Sequence, residues 1–544
     1  MKKLVALLLI LVMIFSITAC SKDNSPPDTE GSENGGQAES KFGGELKVGI
    51  TTDVDMLNPL VSNDRVGSWI LNNIYPTLMI MNEKAEKVPY IAESITTSED
   101  GKTVTVKLKD GLKWQDGEPL TSADVKFTGD ILYEYKLQWQ ADVFDQVVSV
   151  KTPDDLTIVY QLKQPYPGFI TTLGFWQRIV PKHIWEKVED PKTYANEQPV
   201  GLGPYKLSSY EKGQYYTLER VDEWFGSPEG KPYLDKVTFR IYPDINTMVL
   251  ALKTGEIDLT AKDIPHSAAA ELSNNKDFTV AKTPSLGYVY IGFNYTNEFL
   301  KDNAVRKAIS EAIDREKIIT MALEGDGMTM PGPISPVYKE YQKDEFVLPQ
   351  FDVETSKKTL SDAGYKDSDG DGILNSPSGK NVSLELMYDG NDMYLDKTAQ
   401  ILVSNLKDVG IELKLKPLEK STYSDLVFNQ KKFDINLGGW GIIEDVFDSM
   451  YTLFHSTAQL NFMGLNNPKL DEYMEGSKFA ATQADIDKNM DLFQEEFIKE
   501  VPVVPLYVQE YNFAYSNAFD GFKLFPSDLK GLVDPQSLCQ VYKK

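Results

Sequence analysis

Cysteine is almost missing from this chain, with two among 544 residues. That excludes a disulfide scaffold, and Cys539, near the C-terminus, is expected to be an unreactive packed thiol. Histidine is nearly as scarce. His183, His266 and His455 stand far apart, so no histidine-rich transition-metal site is expected. Neither a His-Glu-x-x-His zinc motif nor a Gly-x-Ser-x-Gly nucleophile elbow occurs. Positive charge is in deficit, with 56 Lys and Arg against 81 Asp and Glu and a net charge of −25. A field of that sign disfavours nucleic acid and anionic lipid surfaces, and no nucleic-acid partner is expected. It favours cationic or zwitterionic ligands only weakly and mainly keeps the chain soluble. With so many acids, paired carboxylates for glycoside hydrolysis could be drawn anywhere and decide nothing. Long apolar runs are absent too. The longest, Leu4 to Ile17 with Ser16 inside it, falls short of the ~20 residues that span a bilayer.

What is there begins with that run. Lys2 and Lys3 precede it, and Thr18, Ala19 and Cys20 follow, which is the order of a secretory signal. Ile17-Thr18-Ala19-Cys20 resembles the lipobox of bacterial lipoproteins. The resemblance implies a signal peptide over residues 1–19, lipidation of Cys20, and a lipid anchor at the outer face of the bacterial cytoplasmic membrane. Residues 20–42 hold Pro26, Pro27, Gly31, Gly35 and Gly36 among polar neighbours and cannot build a core. They read as a flexible tether with a span of roughly 25 Å.

The remaining ~500 residues are enough for two or more domains. Aromatic residues make up 11% of the chain, which suits clefts as well as cores. Glu45 to Ile50, Thr103 to Leu108 and Val237 to Tyr242 read as strands. Thr121 or Ser122 can cap a helix. Asn246 to Thr254 reads as a helix stopped by Gly255, and Ile257-Asp258-Leu259 as a short strand, so the order is that of an α/β lobe. A second α/β pattern follows. Val382, Leu384, Leu386 and Tyr388 alternate; Leu395, Leu402, Leu406 and Val409 keep helical spacing up to Gly410; Ile411, Leu413 and Leu415 alternate again. Phe433 to Leu437 then runs into Gly438-Gly439-Trp440. Two α/β lobes are therefore expected, joined near Asn294 to Asn303, with the chain crossing back around Leu506 to Asn512. Ligands of open α/β sheets lie beyond the carboxyl ends of strands, and Gly438-Gly439-Trp440 sits at such an end.

Several blocks, taken together and in order, resemble the family 5 extracellular solute-binding proteins. They include Gly43-Gly44-Glu45-Leu46, Leu57-Asn58-Pro59-Leu60, Pro89-Tyr90-Ile91-Ala92-Glu93-Ser94 and Ser98-Glu99-Asp100-Gly101-Lys102. The most specific is Asp116-Gly117-Glu118-Pro119-Leu120-Thr121-Ser122-Ala123-Asp124-Val125. Pro181-Lys182-His183, Gly201-Leu202-Gly203-Pro204-Tyr205, Leu252-Lys253-Thr254-Gly255-Glu256-Ile257-Asp258, Val305-Arg306-Lys307-Ala308-Ile309 and Ala312-Ile313-Asp314-Arg315 extend the match. The resemblance implies an α/β two-lobe fold of the periplasmic-binding-protein, or flytrap, type. The first lobe is expected over 43–294 with an inserted subdomain at about 89–200, the second over 295–510, and a return to the first over 511–544. It also implies the binding subunit of an ABC importer that captures oligopeptides by hinged closure. Such a subunit would be a monomer with permease and ATPase partners, no cofactor and no chemistry of its own. A binder of a non-peptide solute and a peptide-pheromone receptor share the fold; an extracellular hydrolase is the rival from another class.

In peptide-binding relatives the ligand main chain pairs with protein backbone by strand addition. The segments matching those strands are Asp53-Val54-Asp55 and Gly438-Gly439-Trp440. Trp440 would cover an apolar side chain or pack between lobes. The family's usual carboxylate for the ligand's α-amino group stands shortly after that tryptophan. Here the third residue on is Ile443, and Glu444 or Asp445 would serve after a small register change, or else form a solvated loop. Asp367-Ser368-Asp369-Gly370-Asp371-Gly372 resembles the start of an EF-hand loop, but its twelfth position is Ser378 rather than Glu. A surface turn is expected there rather than a calcium site, and no metal is assigned.

Overall fold

One strand is shared by the whole molecule. In this computed structural model the described residues are 41–544 apart from Asn63, Gln138, Ile442 and Glu444. Cys20 and the expected signal peptide therefore lie outside the described residues, with most of the tether. Val503–Ser516 runs for fourteen residues through the middle of a sheet whose order is 412–418, 383–389, 435–440, 288–293, 503–516, 259–260, 45–50, 236–241, 215–220 and 205–211. Its first half pairs antiparallel with Tyr288–Phe293 (Ile291 opposite Val504) and with Gly327–Thr329. Its second half pairs with Phe278–Pro284 and touches Leu259–Thr260. The sheet is thereby divided into two lobes.

The first lobe is built around Glu45–Ile50, parallel to both Lys236–Ile241 and Leu259–Thr260. Leu46, Val48 and Ile50 are fully buried, each worth about 1.5–3 kcal/mol over exposure. Parallel neighbours need crossover connections. Helix Ile245–Lys253 makes one, capped by the Asp244 carboxylate on Thr247 N, and Gly255 leaves it at φ +75°. The other crossover holds a separate antiparallel sheet of order 92–97, 103–108, 157–162 and 147–154, backed by helix Ser122–Tyr135. In its strand Thr103–Leu108, Val104, Val106 and Leu108 are buried and Lys107 is exposed.

The second lobe repeats the logic. Ser383–Asp389 lies parallel to Glu412–Leu418, and the crossover helix Met393–Lys407 is capped by Asp392 on Tyr394 N and Leu395 N. The lobe boundary lies earlier than the sequence places it. Tyr288–Phe293, expected within the first lobe ending at 294, pairs with Ile435–Trp440 and with Val503–Tyr507, inside the second. The crossing is Ser285-Leu286-Gly287. An unbroken apolar strand does not announce which of two sheets will bury it.

The chain crosses between lobes at 285–287 and at Gln509-Glu510, and the crossings touch, with Ser285 N donating to Gln509 O at 2.8 Å. Beside them Asp326 of the second lobe accepts from first-lobe groups His266 Nδ1 (2.9 Å), Lys282 Nζ (2.6 Å) and Asn512 Nδ2 (2.8 Å). Residues after the shared strand pack on the first lobe. Trp69 Nε1 donates to Asp528 O, Asn73 Nδ2 to Val533 O, and Tyr205 Oη to Leu538 O. Cys539 is fully buried among them, and burial pushes its thiol up to about 12.

The segments that carry the family resemblance are largely structural. Asp124 Oδ2 accepts from Thr121 N while its Oδ1 accepts from Lys182 N, both at 2.8 Å, and Asp116 meets His183 Nε2 at 2.7 Å. The Asp116–Val125 block is thus pinned to Pro181-Lys182-His183. Asn58 Nδ2 donates to Pro191 O and Tyr194 O. Arg306, buried, pairs with Glu500 and donates to Leu300 O. In the Asp367–Asp371 turn all three carboxylates are exposed, and Asp367 spends both oxygens on Gly370 N and Gly372 N.

Candidate functional site

A cavity of about 660 Å³ opens between the inserted subdomain of the first lobe and the second lobe. Tyr166, Thr171 and Trp176 line it from one side; Trp440, Asp445, Asp448 and Lys478 line it from the other. Neither histidine nor cysteine lines it.

The second-lobe wall starts at the end of strand Ile435–Trp440. Its pairing with Tyr288–Phe293 sets Tyr290 opposite Gly438, Val289 opposite Gly439 and Tyr288 opposite Trp440. Its pairing on the other side, with Ser383–Asp389, covers only Ile435 and Asn436. Gly438, Gly439 and Trp440 therefore keep one backbone edge outside the ladder, which is the requirement for strand addition. A Cβ on Gly438 would sit 2.6 Å from Tyr423 Oη, so glycine there lets Tyr423 pack against the strand. The Trp440 ring stacks on Tyr290 at 5.2 Å and 11° and tilts against Phe462 at 6.1 Å. Its Nε1 is buried without a partner among the described residues. Within the crossing, a Cβ on Gly287 would lie 1.6 Å from the Trp440 carbonyl oxygen, so only glycine lets the two segments meet there.

Helix Val446–Phe454 follows, with Asp445 at its N-cap but making no side-chain cap bond. Asp445 Oδ1 is enclosed and has no partner among the described residues, although the residue as a whole is only half-buried. Desolvation raises its pKa; the nearby charge of Lys87 and a bond with Thr171 oppose the rise. One turn on, Asp448 Oδ1 accepts from Tyr166 Oη and pairs with Lys478 Nζ, each at 3.2 Å. The Lys478 ammonium also lies 3.8 Å from the Tyr451 ring centroid and 5.5 Å from that of Tyr166, a cation–π arrangement. Burial and the charges of Asp448 and Asp445 hold the Tyr166 hydroxyl far above its ordinary range, so it stays a donor. The Tyr166–Asp448 bond joins the two lobes across the cavity.

Of the residues singled out from sequence, Trp440, Ile443 and Asp445 line this cavity, with Gly438 and Gly439 in the strand leading to it. Glu444 lies outside the described residues. Ile443 is buried, its carbonyl accepting from Tyr338 Oη. Asp53, Val54 and Asp55 do not line the cavity. Asp53 spends its carboxylate inside the first lobe, accepting from Tyr216 Oη and Gly213 N at 2.8 Å; Val54 is buried and Asp55 exposed. Sequence reasoning missed Tyr166, Trp176 and Lys478. They come from the inserted subdomain and from helix Pro468–Lys478, and no local pattern links such distant segments.

A model of the bacterial extracellular solute-binding proteins, family 5, matches residues 86–461. The oligopeptide-binding protein AppA of Bacillus subtilis is 31% identical over 535 residues, covering 96% of each chain. The structure of AppA from that organism in complex with a nonapeptide superposes with a TM-score of 0.73 at 29% identity, covering 92% of this chain and 99% of that one. The ABC-transporter substrate-binding protein CtaP of Listeria monocytogenes gives 0.81 at 29% identity, with the same coverage.

Proposed function

Because the chain belongs to the bacterial extracellular solute-binding proteins of family 5, we propose that it captures extended peptides between its lobes and delivers them to an ABC importer. The observation that carries this is the backbone edge at Gly438–Trp440, outside the ladder and ending at a cavity of about 660 Å³ that Trp440 lines. A peptide main chain satisfies that edge without its side chains being read, which suits a broad specificity. Trp440 offers an apolar ring to one side chain. The enclosed Asp445 Oδ1 offers the ligand's α-ammonium the partner that a buried charge needs. Ligand bridging both walls favours the closed arrangement over the open one by its extra contacts. The Tyr166–Asp448 bond belongs to that closed arrangement.

The protein acts by binding and does no chemistry; a monomer works with permease and ATPase subunits. Its place is the outer face of the cytoplasmic membrane, held by acyl chains on Cys20 through the 21–42 tether. Metabolic labelling with a radiolabelled fatty acid, lost on Cys20→Ala, tests the anchor. Native mass spectrometry of gently purified protein lacking residues 1–42 tests the ligand. A co-purified ladder of peptide masses is expected; one recurrent non-peptide mass overturns the peptide reading.

A further inference from the structure

Beside the large cavity lies a small one of about 40 Å³, walled by first-lobe residues and sharing Trp176 with it. Two cations border the small cavity. Lys530 is buried and neutralised by Asp534, with Nζ to Oδ2 at 2.5 Å. Arg178 is not neutralised. Its Nε donates to Asn72 Oδ1 at 2.9 Å, and among the described residues no carboxylate forms an ion pair with it. The acid whose charge most affects it, Asp64, is occupied at the start of helix Arg65–Ile74, accepting from Gly67 N and Ser62 Oγ. Burial lowers the Arg178 pKa to about 10, which leaves it charged at neutral pH. Arg178 is half-buried; a cation drawn partly out of water without a counter-charge is costly, and a guanidinium held by Nε keeps its two terminal nitrogens in the fork that fits a carboxylate.

We propose that Arg178, oriented by Asn72, is a carboxylate-binding subsite on the first-lobe wall of the ligand cleft. The inference deepens the peptide reading and rests on it for the ligand's identity. The ligand is then dipolar, its ammonium on Asp445 of the second lobe and its carboxylate on Arg178 of the first, with Trp176 between. For a peptide the carboxylate is the C-terminus. Each charged end grips a different lobe, so the ligand's own charges tie the lobes together.

The test uses the mature protein, Arg178→Gln and Arg178→Lys. Affinities are measured by calorimetry for tripeptide, hexapeptide and nonapeptide pools lacking Asp and Glu, each made as free acids and as C-terminal amides. The wild type is expected to prefer the free acids about tenfold or more, as a charge-assisted pair would. Arg178→Gln abolishes the preference by weakening the acids and leaving the amides little changed, and Arg178→Lys restores part of it. If Arg178→Gln does not fold, Asn72→Ala, which frees the guanidinium, carries the same comparison. Equal binding of acids and amides by the wild type overturns the subsite and leaves the peptide reading standing. If no pool binds but citrate raises the wild-type melting temperature and not that of the variants, the subsite stands and the peptide reading falls. Binding of neither class overturns both.

Discussion

A carboxylate at a helix N-cap ordinarily spends itself on that helix's free N–H groups. Among the described residues Asp445 makes no side-chain cap bond, and its enclosed, unpartnered Oδ1 is a cost that the ligand-free protein carries. Asp445→Asn is therefore expected to weaken free-amine peptides about tenfold or more while leaving N-acetylated peptides unaffected, read by calorimetry. The same change should raise the ligand-free melting temperature at pH 8. Its pKa is raised in the fold, so its contribution is favourable at low pH and lost as pH rises through that value. Cys539 gives a second check. Its buried, weakly acidic thiol should resist iodoacetamide in the folded protein lacking residues 1–42 and react only in denaturant. The sequence marks Cys539 by isolation and Asp445 by its nearness to Trp440. It does not say which acid after Trp440 reaches the cavity, because no periodic pattern continues past the end of strand Ile435–Trp440 to fix the register.

Among the elements, those with strict periods are legible and those placed by partners are not. Strand Thr103–Leu108 and helix Met393–Lys407 follow from alternation and from helical spacing ending at Gly410. Tyr288–Phe293 is as plain a strand, yet its lobe is decided by pairing with Ile435–Trp440, far away in sequence. Asp53 is likewise placed by distant partners, its carboxylate accepting from Tyr216 Oη and Gly213 N inside the first lobe. Asp124 ties helix Ser122–Tyr135 to the Pro181–His183 segment. Asp124→Ala removes a helix cap and a long-range bond, and should lower stability by about 1–2 kcal/mol in urea titration without changing ligand affinity. Gly287→Ala forces a methyl group against the Trp440 carbonyl. It should cost both stability and affinity, because the displaced strand is the one that carries the free edge.

The whole molecule turns on the adjoining crossings at 285–287 and Gln509-Glu510, where acids concentrate. Asp263 accepts from Asn512 N at 2.7 Å; burial, with Asp326 and Asp528 adding to it, pushes its pKa up to about 7. Asp326 is held below its ordinary value by bonds from Lys282, His266 and Asn512, against the pull of burial. The two signs differ. The Asp263 contribution is present below about pH 4 and lost as pH rises to about 7; that of Asp326 is present above about pH 4 and lost below it. Asp263→Asn should therefore melt about 1–3 °C above the wild type at pH 8 and level with it at pH 4, by calorimetric scans. The two-lobe plan was legible from the repeated α/β pattern, whereas the point of crossing depended on which sheet claimed each central strand. The shared strand Val503–Ser516 has one more effect, on cooperativity. Because it is central to both lobes, local opening of this one strand loosens two lobes at once, and heating should melt them together as one event rather than as two.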